Sequence, residues 1–141
     1  MDVKDFLKQP RKLDIQIRNK LIERQQLREL AMGISAGMDG IRVRASGGKS
    51  RMAEAVDKLV DMEAEIDALV DRLVDTKRQV VAALEALDNP TEYNLLHMRY
   101  VQGKSLQEIA DAYRREYGWA TTTHGRAMRH LRERLDKGQP S

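Results

Sequence analysis

A repeat of apolar residues at every seventh position constrains the fold of this chain more than any other feature. The repeat lies in about residues 51–88, which contain neither glycine nor proline, and it consists of Met52, Leu59, Ile66, Leu73, Val80 and Leu87. Residues seven apart lie on the same face of an α-helix, so the repeat predicts one helix of about ten turns. Val56, Val70 and Leu84 widen the apolar stripe, which predicts packing against more than one neighbour.

The first predicted neighbour of this long helix is a second helix over about residues 10–32. Pro10 suits its first turn, and its apolar stripe consists of Leu13, Ile17, Leu21, Leu27 and Ala31. Residues 33–50 are rich in glycine and serine and predict a flexible connection. We therefore expect residues 1–88 to form a long antiparallel helical hairpin. The remaining apolar surface leaves two alternatives open, a homo-oligomer formed through the long helix and an isolated hairpin.

The composition favours an all-α fold and excludes several kinds of site. Only 4% of the residues are aromatic and 33% are charged, which suits long amphipathic helices better than a mixed sheet. The chain has no cysteine, so disulfides and thiolate metal sites are excluded. It has three histidines and no nucleophile, base and orienting group that the predicted fold would bring together. We expect a protein that is not an enzyme and that uses no cofactor and no metal.

Charge is distributed unevenly along the chain. Residues 1–50 hold 11 basic and 6 acidic residues, residues 51–88 hold 5 and 10, and residues 89–141 hold 9 and 6. The acidic middle would repel nucleic acid, so a nucleic-acid partner would contact one or both ends. No uncharged stretch approaches the ~18 residues of a membrane span, and the first residues do not have the pattern of a signal peptide. We therefore expect a cytoplasmic protein that does not contact a membrane.

Residues 89–137 have the pattern of three short helices. Asn89 and Pro90 are typical of a helix start, and Glu92 can complete a capping box with Asn89. Gly103 is typical of the left-handed residue that ends a helix. The predicted first helix covers about residues 91–101. The tail, residues 138–141, is predicted to be disordered.

The next two predicted helices form a helix-turn-helix. Ser105 and Glu108 have the spacing of a capping box, which begins a helix over about residues 105–116. Apolar residues at helical spacing then predict a last helix over about residues 119–136. In such a domain the last helix enters the major groove of DNA with its N-terminal turns.

Five residues in or directly before the first turns of that last helix are candidates for contact with DNA bases or the DNA backbone. Thr121 and Thr122 would face outward, where a threonine can donate, accept, or place its methyl group against thymine. Tyr117 and Trp119 flank them, although Trp119 suits a core position equally well. Gly125 would let the DNA backbone approach closely.

Three basic residues are candidates for phosphate contacts. Arg126 and Arg129 lie one and two turns beyond the threonines, placed for a phosphate or a guanine. Lys104 lies at the entrance of the preceding helix, where the helix N-terminus would assist anion binding.

The sequence of the predicted helix-turn-helix region resembles a known family. The pattern of Leu96, Arg99-Tyr100, Gly103 and Glu108-Ile109-Ala110 is similar to region 4 of bacterial sigma-70-type factors. With the run His124–Met128 and the long acidic helix before it, nearly the whole chain resembles the ArpU-like regulators encoded by phages and prophages. The resemblance implies a trihelical, sigma-region-4-like domain, promoter binding and control of phage genes.

One departure from the family pattern affects the predicted turn. The family has a glycine a few residues after the Glu-Ile-Ala motif, where this chain has the sequence Ala112-Tyr113-Arg114-Arg115. The next glycine is Gly118, inside the first turn of the predicted last helix. Either the turn is displaced along the chain or the second helix is longer than usual.

The leading functional hypothesis is sequence-specific binding of double-stranded DNA for transcription regulation. One alternative is a phage DNA-packaging protein that resembles a small terminase subunit. Another is a protein-interaction module that binds RNA polymerase through the acidic hairpin.

Overall fold

The structure is a computed structural model that describes residues 1–33 and 47–138, and within these ranges the protein is all-α and has no strand. Its elements are α1 (Val3–Met32), α2 (Gly47–Leu84), α3 (Pro90–Leu96), a π-helical segment (His97–Val101), α4 (Leu106–Ala112) and α5 (Tyr117–Gly138). The predicted all-α fold class is therefore confirmed. In the same ranges, no helix combines the length and the apolar content that crossing a bilayer requires.

Helix α1 begins earlier than predicted, because Pro10 lies inside the helix instead of starting it. A proline inside a helix costs about 3 kcal/mol, since it removes one backbone hydrogen bond and crowds the preceding turn. Leu7 is fully buried and Phe6 is partly buried against the same core. Burial of these two side chains offsets the cost of the proline and keeps the first turns helical.

Helix α2 is displaced toward the N-terminus relative to the predicted residues 51–88. It begins at Gly47, so the last part of the predicted connection is helical, while residues 34–46 of that connection lie outside the described residues. It ends at Leu84, where the backbone N–H of Leu87 donates to the Leu84 carbonyl at 3.0 Å. This tight last turn directs Leu87 into the core, where it is 8% exposed.

The last helix is longer than predicted at both ends. It includes Gly118 near its start and extends to Gly138, which was expected in the tail. Residues 139–141 of that tail lie outside the described residues.

The chain divides into two compact units, which are described separately. One unit consists of Met1–Lys12 with Leu73–Ser141, and the other is Leu13–Arg72. In the first unit, α3 and α4 both pack against α5. Its hydrophobic core also takes in the start of α1 and the end of α2, and the fully buried side chains of that core include Leu7, Val80, Leu84, Leu95, Leu96, Ile109 and Leu131.

The second unit contains parts of α1 and α2 joined by ion pairs. Lys20 pairs with Glu65 at 2.9 Å, and Arg24 pairs with Glu63 at 2.8 Å. The partners advance along α1 as they retreat along α2, which is the order of antiparallel helices. Several large apolar side chains of this unit are exposed, among them Ile15, Ile22, Leu30, Met52, Val56 and Val60. A contact with a second copy of the chain stays a prediction.

The predicted helix starts at Asn89 and Ser105 are confirmed. The Asn89 side chain accepts hydrogen bonds from the backbone of Thr91 and Glu92, and Pro90 occupies the first turn. Ser105 and Glu108 form the complete capping box. These caps satisfy backbone N–H groups that a helix start leaves without intrahelical partners.

The turn between α4 and α5 resolves the question that the missing glycine raised. Arg114 takes the left-handed conformation, with φ of 54°, in the place where a glycine is usual. The N–H of Arg115 donates to the Ala110 carbonyl and that of Arg114 to the Asp111 carbonyl, which is the Schellman pattern of a helix end. The turn is therefore not displaced along the chain, and the helix before it is not longer than usual. Helix α4 ends at Ala112 instead of the predicted residue 116.

We expect Arg114→Gly to raise the free energy of unfolding by about 1 kcal/mol, because glycine relieves the clash of Cβ with the backbone at positive φ. Gly103 has φ of 77° and no atom within 4 Å of a Cβ built there, so Gly103→Ala should cost about as much through strain alone. Urea unfolding of both variants measures the two effects. Destabilisation by Arg114→Gly would contradict the left-handed assignment.

Candidate nucleic-acid interface

Helix α5 has one buried face and one open face. Ala120, Ala127 and Leu131 are fully buried, and Thr123 beside them is 1% exposed. The opposite face is exposed to solvent and, up to Asp136 in the last turns of the helix, consists of Gly118, Thr121, Thr122, Gly125, Arg129 and Arg132. We call this set the outward face. Four of the predicted DNA-contacting residues, Thr121, Thr122, Gly125 and Arg129, therefore lie together on one surface.

The two glycines of the outward face pack against no side chain among the described residues. A Cβ built at Gly118 or at Gly125 meets no heavy atom within 4 Å. Glycine inside a helix costs about 1 kcal/mol relative to alanine. Nothing in the described part of the chain compensates this cost, whereas a molecule that approaches the helix backbone closely would do so.

The polar groups of the outward face are only lightly engaged. The Thr121 hydroxyl donates to the Gly118 carbonyl at 3.0 Å, which leaves its oxygen free to accept. Arg129 has no carboxylate within ion-pair distance among the described residues. Tyr117, at the start of the helix, is 50% exposed.

Trp119 lies on the core side of α5 instead of on the outward face. It is partly buried, and its ring centroid is 5.0 Å from that of Tyr113. The Arg115 guanidinium lies over the Trp119 ring, 5.2 Å from the ring centroid. These contacts favour the core interpretation of Trp119, in which it supports the turn between α4 and α5.

Arg126 is held by a buried carboxylate. Its Nε donates to Glu92 Oε2 at 3.0 Å, and His130 Nδ1 lies 2.8 Å from Glu92 Oε1. Glu92 is 2% exposed, so a charged group of α3 is buried under two side chains one turn apart on α5. Two contacts one turn apart hold both the position and the rotation of α5.

Sequence reasoning did not identify this role of Glu92. It placed Glu92 in a capping box after Asn89, but the side chain turns away from the helix start and toward α5. Arg126 and His130 have the i, i+4 spacing of a shared partner, which is the only signal in the sequence. Their partner is more than 30 residues away, and no local pattern indicates it.

Electrostatics keep Glu92 ionised. Burial raises the pKa of its carboxyl group, but the hydrogen bonds and positive charges of His130 and Arg126 outweigh burial and leave the pKa below its ordinary value of 4.5. The ionised carboxylate is therefore the form that Arg126 and His130 stabilise.

Lys104 lies in the short segment before α4 and is half-buried. Its backbone N–H donates to the Met98 carbonyl at 2.9 Å, and its own carbonyl accepts from Arg99 at 3.1 Å. These bonds fix the backbone at the entrance of α4, and the contact of the Lys104 side chain with a phosphate stays a prediction.

A tyrosine and a histidine form a polar pair beside the outward face. The Tyr100 hydroxyl lies 2.7 Å from His124 Nε2, between the π-helical segment and α5. Burial lowers the pKa of His124, and the positive charges of Arg99, Lys4 and Arg132 lower it further. A lowered pKa favours the neutral imidazole, and the tautomer of that imidazole decides which of the two groups donates the hydrogen bond.

No protein-family model matches this chain, and no curated protein or solved structure matches it.

Acidification should remove the stabilisation that Glu92 supplies. Since its pKa is lower in the folded chain, this stabilisation is complete above the unfolded pKa and is lost as the pH falls through the folded pKa. We expect Glu92→Gln to lower the free energy of unfolding by about 2 kcal/mol near neutral pH. Its stability should also fall less steeply in acid than that of the parent.

Urea unfolding at a series of acidic pH values measures both effects. Glu133→Gln is the matched control, because Glu133 is an exposed carboxylate on α5. Equal pH dependence in the parent chain and in Glu92→Gln would show that Glu92 is not the group that titrates.

Proposed function

We propose that the protein binds double-stranded DNA with the outward face of α5, and that α4 and α5 act as a helix-turn-helix. The observation that carries this proposal is the open face itself, in which two glycines, two threonines and an arginine lie together on an exposed surface. The buried face of the same helix is fixed by the core, so this is the surface that α5 offers to a partner.

The geometry of the domain supports insertion of α5 into a groove. The major groove of B-DNA, ~12 Å wide, admits one α-helix, whose N-terminal turns then contact base edges. Thr121 and Thr122 lie in those turns, where their hydroxyl and methyl groups can contact bases. Gly118 and Gly125 would let the helix backbone approach the DNA more closely than any other residue permits.

The arginines of α5 also support an approach of DNA to the outward face. Arg129 lies on the outward face without an acidic partner among the described residues, so it is available to a phosphate or a guanine. Arg126, by contrast, is engaged with Glu92, and we propose that it orients α5 in addition to any contact with DNA.

The biological setting of this proposal comes from the resemblance described above. We propose a sigma-region-4-like domain over residues 89–137, preceded by an antiparallel hairpin over residues 1–88. In this proposal the protein regulates transcription of phage or prophage genes from their promoters. Contact with RNA polymerase through the acidic part of the hairpin is a further proposal, supported by the exposed carboxylates Glu54, Asp57, Asp61, Asp71 and Asp75 on α2.

The direct test is binding of the purified protein to DNA fragments from its own genome neighbourhood, in the presence of competitor DNA and over a range of salt concentrations. We expect one fragment to stay bound, with an affinity that falls as salt rises. Arg129→Ala should lower the slope of log affinity against log salt by about 1, because one phosphate contact is lost.

Arg78→Ala is the matched control, since Arg78 is an exposed arginine on the acidic helix α2. Its slope should equal that of the parent. A parent chain that binds no fragment would contradict the proposed function, and equal slopes in all three proteins would contradict the assigned face.

Gly125→Ala should separate stability from DNA binding. Alanine favours the helix, and the open space at this position accepts its Cβ, so the free energy of unfolding should rise by about 0.5–1 kcal/mol. The same methyl group would hold the helix away from DNA and weaken binding roughly tenfold. Unchanged DNA affinity in this stabilised variant would mean that DNA does not approach α5 at Gly125.

A further inference from the structure

Three stacked side chains lie at the turn between α4 and α5. The ring centroids of Tyr113 and Trp119 are 5.0 Å apart, and the Arg115 guanidinium carbon lies over the Trp119 ring, 5.2 Å from its centroid. Tyr113 is itself held, because its hydroxyl accepts a hydrogen bond from Asn94 Nδ2 at 2.6 Å. The stack therefore joins α3, the end of α4 and the first turn of α5, and Arg115 is its exposed member.

The position of Arg115 is fixed at its backbone and at its guanidinium. Its backbone N–H donates to the Ala110 carbonyl at 2.9 Å, as part of the helix end of α4. Its guanidinium lies over Trp119, whose ring packs against the core and is therefore anchored. Holding both ends of a long side chain removes conformational freedom before any partner arrives, so a partner that binds the guanidinium loses less entropy in ordering it.

The contact with Trp119 leaves the hydrogen-bond donors of Arg115 unused. A cation is attracted to the face of an aromatic ring by the ring's quadrupole, which requires no hydrogen bond. A guanidinium has five N–H donors, and those of Arg115 bond to no acceptor in the described part of the chain. Arg126, by contrast, donates to the Glu92 carboxylate. Arg115 thus combines a fixed position with free donors and an uncompensated charge.

The guanidinium lies at the end of α5 that the proposed function places nearest to DNA. Trp119 follows Gly118 directly and precedes Thr122 by three residues, so it borders the N-terminal end of the outward face. Trp119 itself belongs to the core side, which places Arg115 at the edge of this face and not at its centre. Beside a helix in the major groove, a group at the edge meets the phosphates that border the groove.

We propose that Arg115, held over Trp119, binds a backbone phosphate of the DNA strand that borders the groove occupied by α5. This inference deepens the proposed function and rests on it for the source of the phosphate. A guanidinium matches phosphate oxygens in geometry and can bind two of them at once. Such a contact fixes the register of a protein on DNA without reading the sequence. Trp119 is then a positioning residue, which packs against the core and acts on DNA through Arg115.

The contact within the free protein is measured through Trp119, the only tryptophan of the chain. An arginine over the ring shields the ring from a neutral quencher such as acrylamide. We expect Arg115→Ala to increase the quenching of Trp119 fluorescence. The matched control is Arg114→Gly, which removes the neighbouring exposed arginine and should leave quenching unchanged. Equal quenching in the parent chain and in Arg115→Ala would overturn the proposal, because Arg115 would then not be held.

The salt dependence of binding to duplex DNA tests the phosphate contact. We expect Arg115→Ala to lower the slope of log affinity against log salt by about 1 and to weaken specific and non-specific binding by a similar factor. Arg115→Lys should keep the slope, because it keeps the charge, and bind more weakly, because an ammonium lacks the fork of donors. Arg114→Gly should keep the slope of the parent.

A double-variant cycle tests the positioning role of Trp119. Trp119→Leu keeps an apolar side chain in the core and removes the aromatic ring, whereas Trp119→Phe keeps a ring. We expect Trp119→Leu to weaken DNA binding severalfold and Trp119→Phe to retain the affinity of the parent. Trp119→Leu combined with Arg115→Ala should bind no more weakly than Arg115→Ala alone. Losses that multiply in the combined variant would overturn the positioning role, because the two side chains would then act independently.

Three further outcomes separate this inference from the proposed function. A parent slope in Arg115→Ala, or an equal loss of slope in Arg114→Gly, would overturn the held phosphate contact and leave the proposed function standing. A loss confined to one DNA sequence would assign Arg115 to a base edge and overturn the phosphate. A parent chain that binds no DNA would contradict the proposed function and this inference with it. Arg115 is exposed, so its variants decide these outcomes even where Trp119→Leu destabilises the domain.

Discussion

The buried carboxylate of Glu92 is the interaction on which the proposed interface depends. It joins α3 to α5 through Arg126 and His130, two residues one turn apart. The core contacts of α5 set which residues face inward, and two further contacts at this spacing reinforce that rotation of the helix. Burying a charge is costly unless its hydrogen bonds are made, and here both carboxylate oxygens are bonded. The outward face is the surface that remains once this constraint and the core contacts of α5 are satisfied.

Much of the helical framework follows from local sequence. The capping box at Ser105, the Asn89 cap and the left-handed Gly103 depend on side chains within a few residues of the backbone that they serve, so they are readable without the fold. The division of α5 into a buried and an exposed face follows likewise from its apolar spacing, and it places Thr121, Thr122, Gly125 and Arg129 together as the sequence indicates.

Local sequence does not predict the structure where tertiary packing overrides a local preference. Pro10 is typical of a helix start, yet burial of Leu7 keeps the preceding turns helical. Arg114 occupies a position that favours glycine, because the Schellman bonds of the α4 end require a left-handed residue there whatever its side chain. Glu92 was assigned to a cap, but its carboxylate bonds to Arg126 and His130 because the fold brings α3 against α5. The predicted contact of Arg126 with DNA stays a prediction.

The central claim is that DNA meets the outward face of α5, and backbone amide shifts on adding duplex DNA test it most directly. Glycine amides fall in a distinct part of the spectrum, and the chain has only nine glycines, so Gly103, Gly118 and Gly125 can be followed individually. We predict that promoter DNA shifts the amides of Gly118 and Gly125 strongly and that of Gly103 weakly. Shifts confined to the acidic helix α2, with Gly118 and Gly125 unchanged, would contradict the account.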